Sequence, residues 1–461
     1  MLTLTIDNPF TLDVACTVPL AEPHEVDRVL DQAREASRAL RATTVAERVA
    51  LCRKALEKMQ AAEATIAADV TRMMGKPLRQ AKNEVAGMAG RWSHMCDIAE
   101  ASLADIVLPP KEGMERRIVK EPHGVVLDLP AWNYPLLTAV NAVVPAILAG
   151  NAVVLKHSPR SPLCGEHFAK AFAEAGAPAG VLQALHCDHP TSERMVSDAR
   201  VDHVLFTGSV FGGHRIQGAA AGRFVGVGLE LGGNDPAYVA ADSDVEKAAE
   251  SLVDGCCYNA GQSCCAVERI YVHESLYARF VAACEPLVRA YVMGDPLDDK
   301  TSLGPIAQPN HPRELAAFVE DATRKGARLV AGGKATAVGG KGRFFEATLV
   351  EGVTQGMALF QRESFGPIVA IGKVASDDEA IARMNDSSLG LTAAVYTKDR
   401  ERAARLAARL EAGTVYMNKC DSLDPALPWV GVKDSGRGVT LSALGFDHLT
   451  RPKAIHFKLA L

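Results

Sequence analysis

Apolar residues recur at spacings of three and four from Pro23 to about Ala104, as in Val26, Leu30 and Ala33 or Leu51, Ala55 and Met59, with charges between them. That spacing gathers the apolar positions on one helix face and predicts a helical N-terminal stretch, interrupted by a turn at Gly75-Lys76-Pro77. Beyond it, strand-like runs at 124–129, 152–155 and 181–185 alternate with helical runs at 136–149 and 164–176. Such alternation predicts a parallel sheet with crossover helices. A second alternating region spans 235–417; it opens with a strand at 236–239 and a helix near 245–253, with later strands at 270–272 and 393–396. The glycines and charges of 331–343 read as a surface turn between strands. The tail, 449–461, alternates at Ala454-Ile455-His456-Phe457 and reads as an edge strand open to subunit pairing.

Bulk properties narrow the class. With 461 residues, 48% of them hydrophobic, the chain exceeds the size at which one core stops growing, so at least two domains are expected. Fifty basic residues against 55 acidic ones give a net charge of -5, and no long run of either sign invites a nucleic acid. The first 17 residues are broken by Asp7, Asn8, Pro9 and Asp13 and lack the apolar run of a signal peptide. The most apolar segment, 136–149, contains Thr138, Asn141 and Pro145. It is also shorter than the roughly 20 residues of a spanning helix, so a buried helix is expected and no membrane partner. Eleven cysteines are scattered without CxxC spacing and include two adjacent pairs, as expected of reduced thiols in a cytoplasmic protein. The one close group of potential metal ligands is His186-Cys187-Asp188-His189; four consecutive residues do not readily converge on one ion, so no metal is expected.

Three segments carry candidate chemistry. In Asn259-Ala260-Gly261-Gln262-Ser263-Cys264-Cys265 a cysteine follows a glycine turn able to present a thiol and neighbouring N–H groups to a pocket; the alternative is a buried, inert thiol. Glu230 lies in the apolar, glycine-bounded Leu229-Glu230-Leu231-Gly232-Gly233-Asn234, where burial would raise its pKa toward the range of a general base; a structural ion pair is the alternative. Asn133, in Leu129-Pro130-Ala131-Trp132-Asn133-Tyr134-Pro135, follows a strand and either donates its amide to a developing oxyanion or caps the next helix.

In this order and at these separations, the three segments resemble the aldehyde dehydrogenase superfamily. Similar stretches at Val154–Pro159, Phe206–Ser209, Glu363–Pro367, Gly413–Asn418 and Gly431–Gly436 extend the resemblance over nearly the whole chain. It implies an α/β fold: a Rossmann-like NAD(P)-binding domain (1–103 and 123–232), an α/β catalytic domain (233–446) and a small β extension (104–122 and 447–461) that pairs subunits into a homodimer or homotetramer. It implies Cys264 as nucleophile, Glu230 as general base, and Asn133 with the Cys264 N–H as oxyanion donors. The cofactor, NAD or NADP, is then met by Trp132 beside the nicotinamide, by Lys156, Ser158 and Pro159 near the adenosine ribose, and by Gly208 and Ser209 at the pyrophosphate. Leu231 and Gly232 join this pocket, and Glu363 and Phe365 surround the nicotinamide ribose. The implied reaction oxidises an aldehyde to an acid through a thiohemiacetal and a thioester that Glu230-activated water hydrolyses.

The departures matter too. Members that prefer NAD often carry glutamate where this chain has Pro159, and Arg160 follows, an arrangement open to a 2′-phosphate. A glycine-rich turn common after the strand at 181–185 is replaced by 186–191, which points to a differently shaped adenine side. The Lys156-His157-Ser158-Pro159 loop and Asn234-Asp235-Pro236 resemble the succinate-semialdehyde dehydrogenase branch; Lys419 is then the candidate cation for an anionic aldehyde, with a plain surface lysine as its alternative. Two other readings stand beside this one: a CoA-acylating aldehyde dehydrogenase, in which the base is usually missing, and a non-catalytic structural or binding member of the fold.

Overall fold

In the computed structural model, which describes residues 2–459, the chain forms three larger sheets and two main cores. Met1, Ala460 and Leu461, at the ends of the expected N-terminal segment and tail, lie outside the described residues. The expected helical stretch comprises Pro23–Leu40, Val45–Ala61, Glu63–Met74 and Leu78–Leu103. The third helix stops at Gly75, whose φ of +81° suits a residue without Cβ and where a Cβ would stand 2.7 Å from Pro305. The turn expected there thus also locks the helices against a loop from the other half of the chain.

The first sheet runs in the order Gly436–Arg437, Gly226–Glu230, His203–Thr207, Val125–Leu129, Ala152–Leu155, Leu182–Ala184. Its last five strands are parallel and Gly436–Arg437 is antiparallel. Chain order reverses beside Val125–Leu129, since the next strand lies on one side of it and His203–Thr207 on the other. In such a sheet a crevice opens outside the carboxyl ends at the reversal. The helix Pro135–Leu148 starts directly beneath that crevice and buries nearly every residue, consistent with its all-round apolar sequence.

The second sheet runs Arg328–Ala331, Thr348–Glu351, Ile368–Val374, Val267–His273, Asp235–Val239, Thr392–Tyr396, Thr414–Met417, parallel but for its first strand. Where a surface turn was expected, Ala335–Val338 and Lys341–Phe345 form a hairpin. The third sheet joins Ile106–Val107, Met114–Pro122 and Thr450–Lys458, all antiparallel. Two features differ from the sequence reading. Gly436–Arg437 crosses back to complete the first sheet, and the N-terminal residues form a hairpin, Thr3–Asp7 with Val14–Pro19, tied to the other half of the molecule by an Asp7–Arg343 ion pair and a Phe10–Phe344 edge contact. Among the described residues, no helix is long and apolar enough to cross a membrane.

Candidate active site

The loop that presents Cys264 is unusual in its backbone. Asn259, Ala260 and Gly261 all have positive φ, at 54°, 54° and 69°, and a Cβ on Gly261 would stand 2.1 Å from the carbonyl oxygen of Gly366. Left-handed geometry at Ala260 is costly, so the surroundings must hold it. They do so with side-chain amides. Asn259 Nδ2 donates to the carbonyls of Asn133 (3.1 Å) and Gln262 (3.0 Å), and Gln262 Oε1 accepts from the Ala307 N–H at 2.9 Å. One bond therefore ties the cysteine loop to Asn133.

Asn133 itself is buried, and its side chain does not cap the following helix, whose N-cap is Tyr134 without a side-chain bond. The capping alternative is thereby removed. Position is set instead by Glu84: its Oε1 accepts from the N–H groups of Leu136 (2.8 Å) and Leu137 (3.4 Å), and its Oε2 pairs with the fully buried Lys76, whose Nζ lies 3.9 Å from the centre of the Tyr134 ring. Neither the Asn133 amide nor the Cys264 main-chain N–H has a hydrogen-bond partner among the described residues. Both remain available to an incoming oxygen.

Glu230 ends its strand and is enclosed. Oε2 accepts from Thr207 Oγ1 at 3.2 Å and Oε1 from Thr440 Oγ1. Burial raises its pKa, while the two hydroxyls and the nearby Arg91 guanidinium oppose that rise by favouring the charged form. Arg91 donates to the Leu137 carbonyl (3.3 Å) and Asn141 Oδ1 (3.0 Å) and has no carboxylate partner among the described residues. Cys265 also lines the second cavity, buried, with its thiol 2.9 Å from Asp421 Oδ1. Burial pushes the Asp421 carboxyl up to about 7.

Two cavities meet at these groups. The first, about 680 Å³, lies over the crevice of the first sheet and is lined by all ten residues expected around the cofactor. Lys156 and Ser158 stand at its far end with Pro159. Gly208 and Ser209 open the helix Val210–Ala220, where Ser209 Oγ accepts the Gly212 N–H at 3.1 Å; a helix N-terminus there suits a pyrophosphate. Leu231 and Gly232 form its floor, and a Cβ on Gly232 would stand 2.4 Å from the Glu363 carboxylate. Trp132 and Phe365 close the near end edge to face, 5.6 Å between ring centres. Volume, helix end and a Lys156 without an ion-pair partner among the described residues together fit a nicotinamide dinucleotide. The second cavity, about 600 Å³, runs along Gln80, Asn83, Glu84, Gly87 and Arg91 on one helix stripe, with Asp254, Lys419 and Asp421 opposite. Asn133, Thr207, Glu230 and Cys264 line both.

Some expectations change. Arg160 does not face the ribose corner: it is buried, pairs with Asp7 Oδ1 and donates to the Asp7 carbonyl at 2.7 Å, so it adds no cation for a 2′-phosphate. Lys419 is exposed, its Nζ 5.6 Å over the Tyr416 ring at the second cavity. The quartet 186–189 diverges: His186 bonds to Glu166, Cys187 is buried, and Asp188 caps the helix His189–Ser197. Sequence reasoning missed Thr440, Arg91 and Glu268. The last is buried and raised to about 7 by desolvation, and it accepts the N–H groups of Ser364 (2.7 Å) and Phe365 (2.8 Å), holding the loop that carries Glu363 and Phe365. No local motif marked them; Thr207 alone sat inside a segment already singled out.

A dinucleotide-sized cavity and a second cavity thus meet at Asn133, Thr207, Glu230 and Cys264, as in an oxidoreductase that brings a substrate against a dinucleotide. The chain belongs to the aldehyde dehydrogenase family, whose sequence pattern matches residues 3–455. It is 37% identical to an aldehyde dehydrogenase of Paenarthrobacter nicotinovorans over 98% of both chains. It is 35% identical to an NADP(+) succinate-semialdehyde dehydrogenase of Deinococcus radiodurans, over 97% of this chain and 93% of that one. A solved NAD-dependent aldehyde dehydrogenase from Sinorhizobium meliloti superposes with a TM-score of 0.97 at 31% identity, over 100% of this chain and 92% of that one. The protein is an oxidoreductase acting on aldehydes with NAD or NADP.

Proposed function

We propose that the protein oxidises a small aliphatic aldehyde to the free acid, with Cys264 as nucleophile, Asn133 and the Cys264 N–H as oxyanion donors and Glu230 as hydrolytic base. The observation that carries this reading is that Asn133, Glu230 and Cys264 line both cavities, so aldehyde and dinucleotide meet at them. Cys264 Sγ adds to the aldehyde carbon, and the two free donors hold the oxygen that gains charge. The bound dinucleotide supplies the acceptor for the hydride that this carbon gives up. Glu230 then takes a proton from the water that attacks the thioester, the C–S bond breaks, and the acid departs. A raised pKa makes the carboxylate a better base than an ordinary glutamate.

Cofactor contact is assigned to Trp132, Lys156, Ser158, Pro159, Gly208, Ser209, Leu231, Gly232, Glu363 and Phe365. The division into a cofactor-binding domain, a catalytic domain and a β extension follows the three sheets, with Gly436–Arg437 lent to the first. Succinate semialdehyde is the favoured substrate, supported by the name of the Deinococcus relative and by Arg91 and Lys419 in the aldehyde cavity. Exposed Ile106, Val107 and Phe457 on the third sheet, with Leu459 just beyond it, support pairing with a second copy as homodimer or homotetramer. The eleven unpaired cysteines support residence in the cytoplasm.

The test is a panel of carboxylate-bearing and neutral aldehydes assayed with NAD and with NADP, with and without CoA, and with the product identified. Free acid as product, and a lower KM for the carboxylate-bearing aldehydes, is the expected result. Acyl-CoA in place of the acid overturns the hydrolytic assignment, and no cofactor reduction across the panel overturns the enzymatic one.

A further inference from the structure

Behind Glu230, on the side away from Cys264, lies a third cavity of about 10 Å³ lined by Asp128, Thr440 and His448 among others. That is about the volume that holds one water. Two of its lining groups have buried polar atoms without a partner among the described residues, Asp128 Oδ2 and His448 Nδ1. Buried polar atoms are rarely left so, and a water between them would satisfy both. Glu230 itself lines this cavity, as does Thr440, whose Oγ1 donates to Glu230 Oε1.

The seat of His448 is built by glycines. A Cβ on Gly228 would stand 2.7 Å from its Cε1, and one on Gly438, at φ +87°, would stand 2.5 Å from the same atom. The ring therefore lies flush against the base-bearing strand, with Nδ1 buried toward the cavity while Nε2 is not among the buried unpartnered atoms and the residue is only half-buried. His203 packs edge to face against it at 4.8 Å, and His123 stacks on His203 at 4.7 Å and meets the His448 carbonyl at 3.2 Å. Burial first, then His123 and Arg437, lowers the His448 pKa, which favours the neutral ring that can accept. Burial and the proximity of Glu230 push the Asp128 carboxyl well above the usual carboxylate range.

We propose that the proton taken by Glu230 leaves through the rear of the sheet, by way of Thr440 and the enclosed water, to Nδ1 of His448 and from its Nε2 to solvent. The inference rests on Glu230 being the hydrolytic base. In each turnover the attacking water gives one proton to Glu230 as its oxygen bonds to the thioester carbon, and the C–S electron pair leaves on Cys264 Sγ. Glu230 then gives that proton to the Thr440 oxygen as the Thr440 hydroxyl passes its own to the water; the water hands one to Nδ1 of His448 as Nε2 releases one to solvent, so that one proton leaves per turnover. His448 is here a positioning and relay residue that never touches the substrate. This route keeps the base ready for the next cycle while the aldehyde cavity is still filled by product.

The test follows decay of the acyl-enzyme in single turnover, at low buffer concentration and at a pH where Glu230 is ionised. His448→Gln, which keeps size and polarity but does not titrate, is expected to slow decay about tenfold with the hydride-transfer burst unchanged. Added imidazole should restore the variant's rate in proportion to concentration and leave the wild type unmoved. Thr440→Val, which keeps shape and loses the hydroxyl, should show the same slowed decay and serves if His448→Gln does not fold. Decay within about twofold of wild type, or a parallel loss of burst and decay without response to imidazole, overturns the proposal. Glu230→Gln separates the two readings: if it leaves decay unslowed, the base assignment falls and the outlet with it. If it slows decay while both rear variants do not, only the outlet falls.

Discussion

Lys76→Met probes how the helix bundle holds the oxyanion donor. Lys76 and Glu84 form an ion pair with side-chain exposures of 0% and 1%. Methionine matches the stem of lysine and removes the charge, leaving a buried carboxylate with two backbone donors, at 2.8 and 3.4 Å. Breaking one partner of a buried pair costs about 3–5 kcal/mol. The two surviving donors place this case near the lower end, about 3 kcal/mol. Removing the carboxylate charge as well, in Lys76→Met/Glu84→Gln, should recover about 1–3 kcal/mol of that loss, because no unpaired charge remains. Urea unfolding followed by the fluorescence of Trp92, buried between Phe168 and Phe172, reports on this core. Because Glu84 anchors the first turn of the helix that follows Asn133, kcat of the folded variant should also drop about tenfold, less than the ~10²–10³ lost with an oxyanion donor outright. A single variant within about 1 kcal/mol of wild type, or a double variant as unstable as the sum of the singles, refutes the argument.

Glu230→Gln should slow acyl-enzyme hydrolysis about 10²–10⁴-fold while sparing the first hydride transfer, seen as a burst of reduced cofactor equal to the enzyme present. In the wild type, hydrolysis needs the ionised carboxylate and burial raises the pKa, so activity is lost as pH falls through a midpoint above the ordinary glutamate value. Thr440→Val removes a bond to the charged form and should move that midpoint further up; a midpoint at or below the ordinary value contradicts the enclosed carboxylate. Pro159→Glu should reduce kcat/KM with NADP about tenfold relative to NAD by setting a carboxylate against the 2′-phosphate at the Lys156 corner; an unchanged ratio places the adenosine ribose elsewhere.

Legibility in the sequence followed the range over which each feature is determined. The parallel strands of the first sheet and its apolar helix were readable because burial on all sides leaves unbroken apolar runs. Cys264, Glu230 and Asn133, which the structure brings to the meeting of the two cavities, stood out because each sits in a short segment of glycines, prolines or apolar neighbours where a polar side chain is costly. Thr440 and Arg91 were not, since their meaning lies in facing Glu230 across more than a hundred residues of chain, and Glu268 reads as one more polar residue in a strand. Arg160 shows the opposite failure. One residue from the ribose loop in sequence, it turns inward to Asp7, and proximity along the chain misled. The N-terminal hairpin was hidden by Asp7, Asn8 and Pro9, which break strand alternation at its turn.

The strand Gly436–Arg437 gives the protein a built-in order of assembly. Glu230 is framed by residues far later in the chain: the Leu231 N–H donates to the Ser435 carbonyl at 2.9 Å, and Thr440 supplies the bond to the carboxylate. A chain emerging from the ribosome therefore carries Cys264, Asn133, most of the dinucleotide crevice and two neighbours of Glu230, Arg91 and Thr207, long before Ser435 and Thr440 are made. Until that late segment arrives, the strand that ends at Glu230 is an open sheet edge and its carboxylate lacks one of its two hydroxyl donors, so the pocket is finished only when the chain is nearly complete.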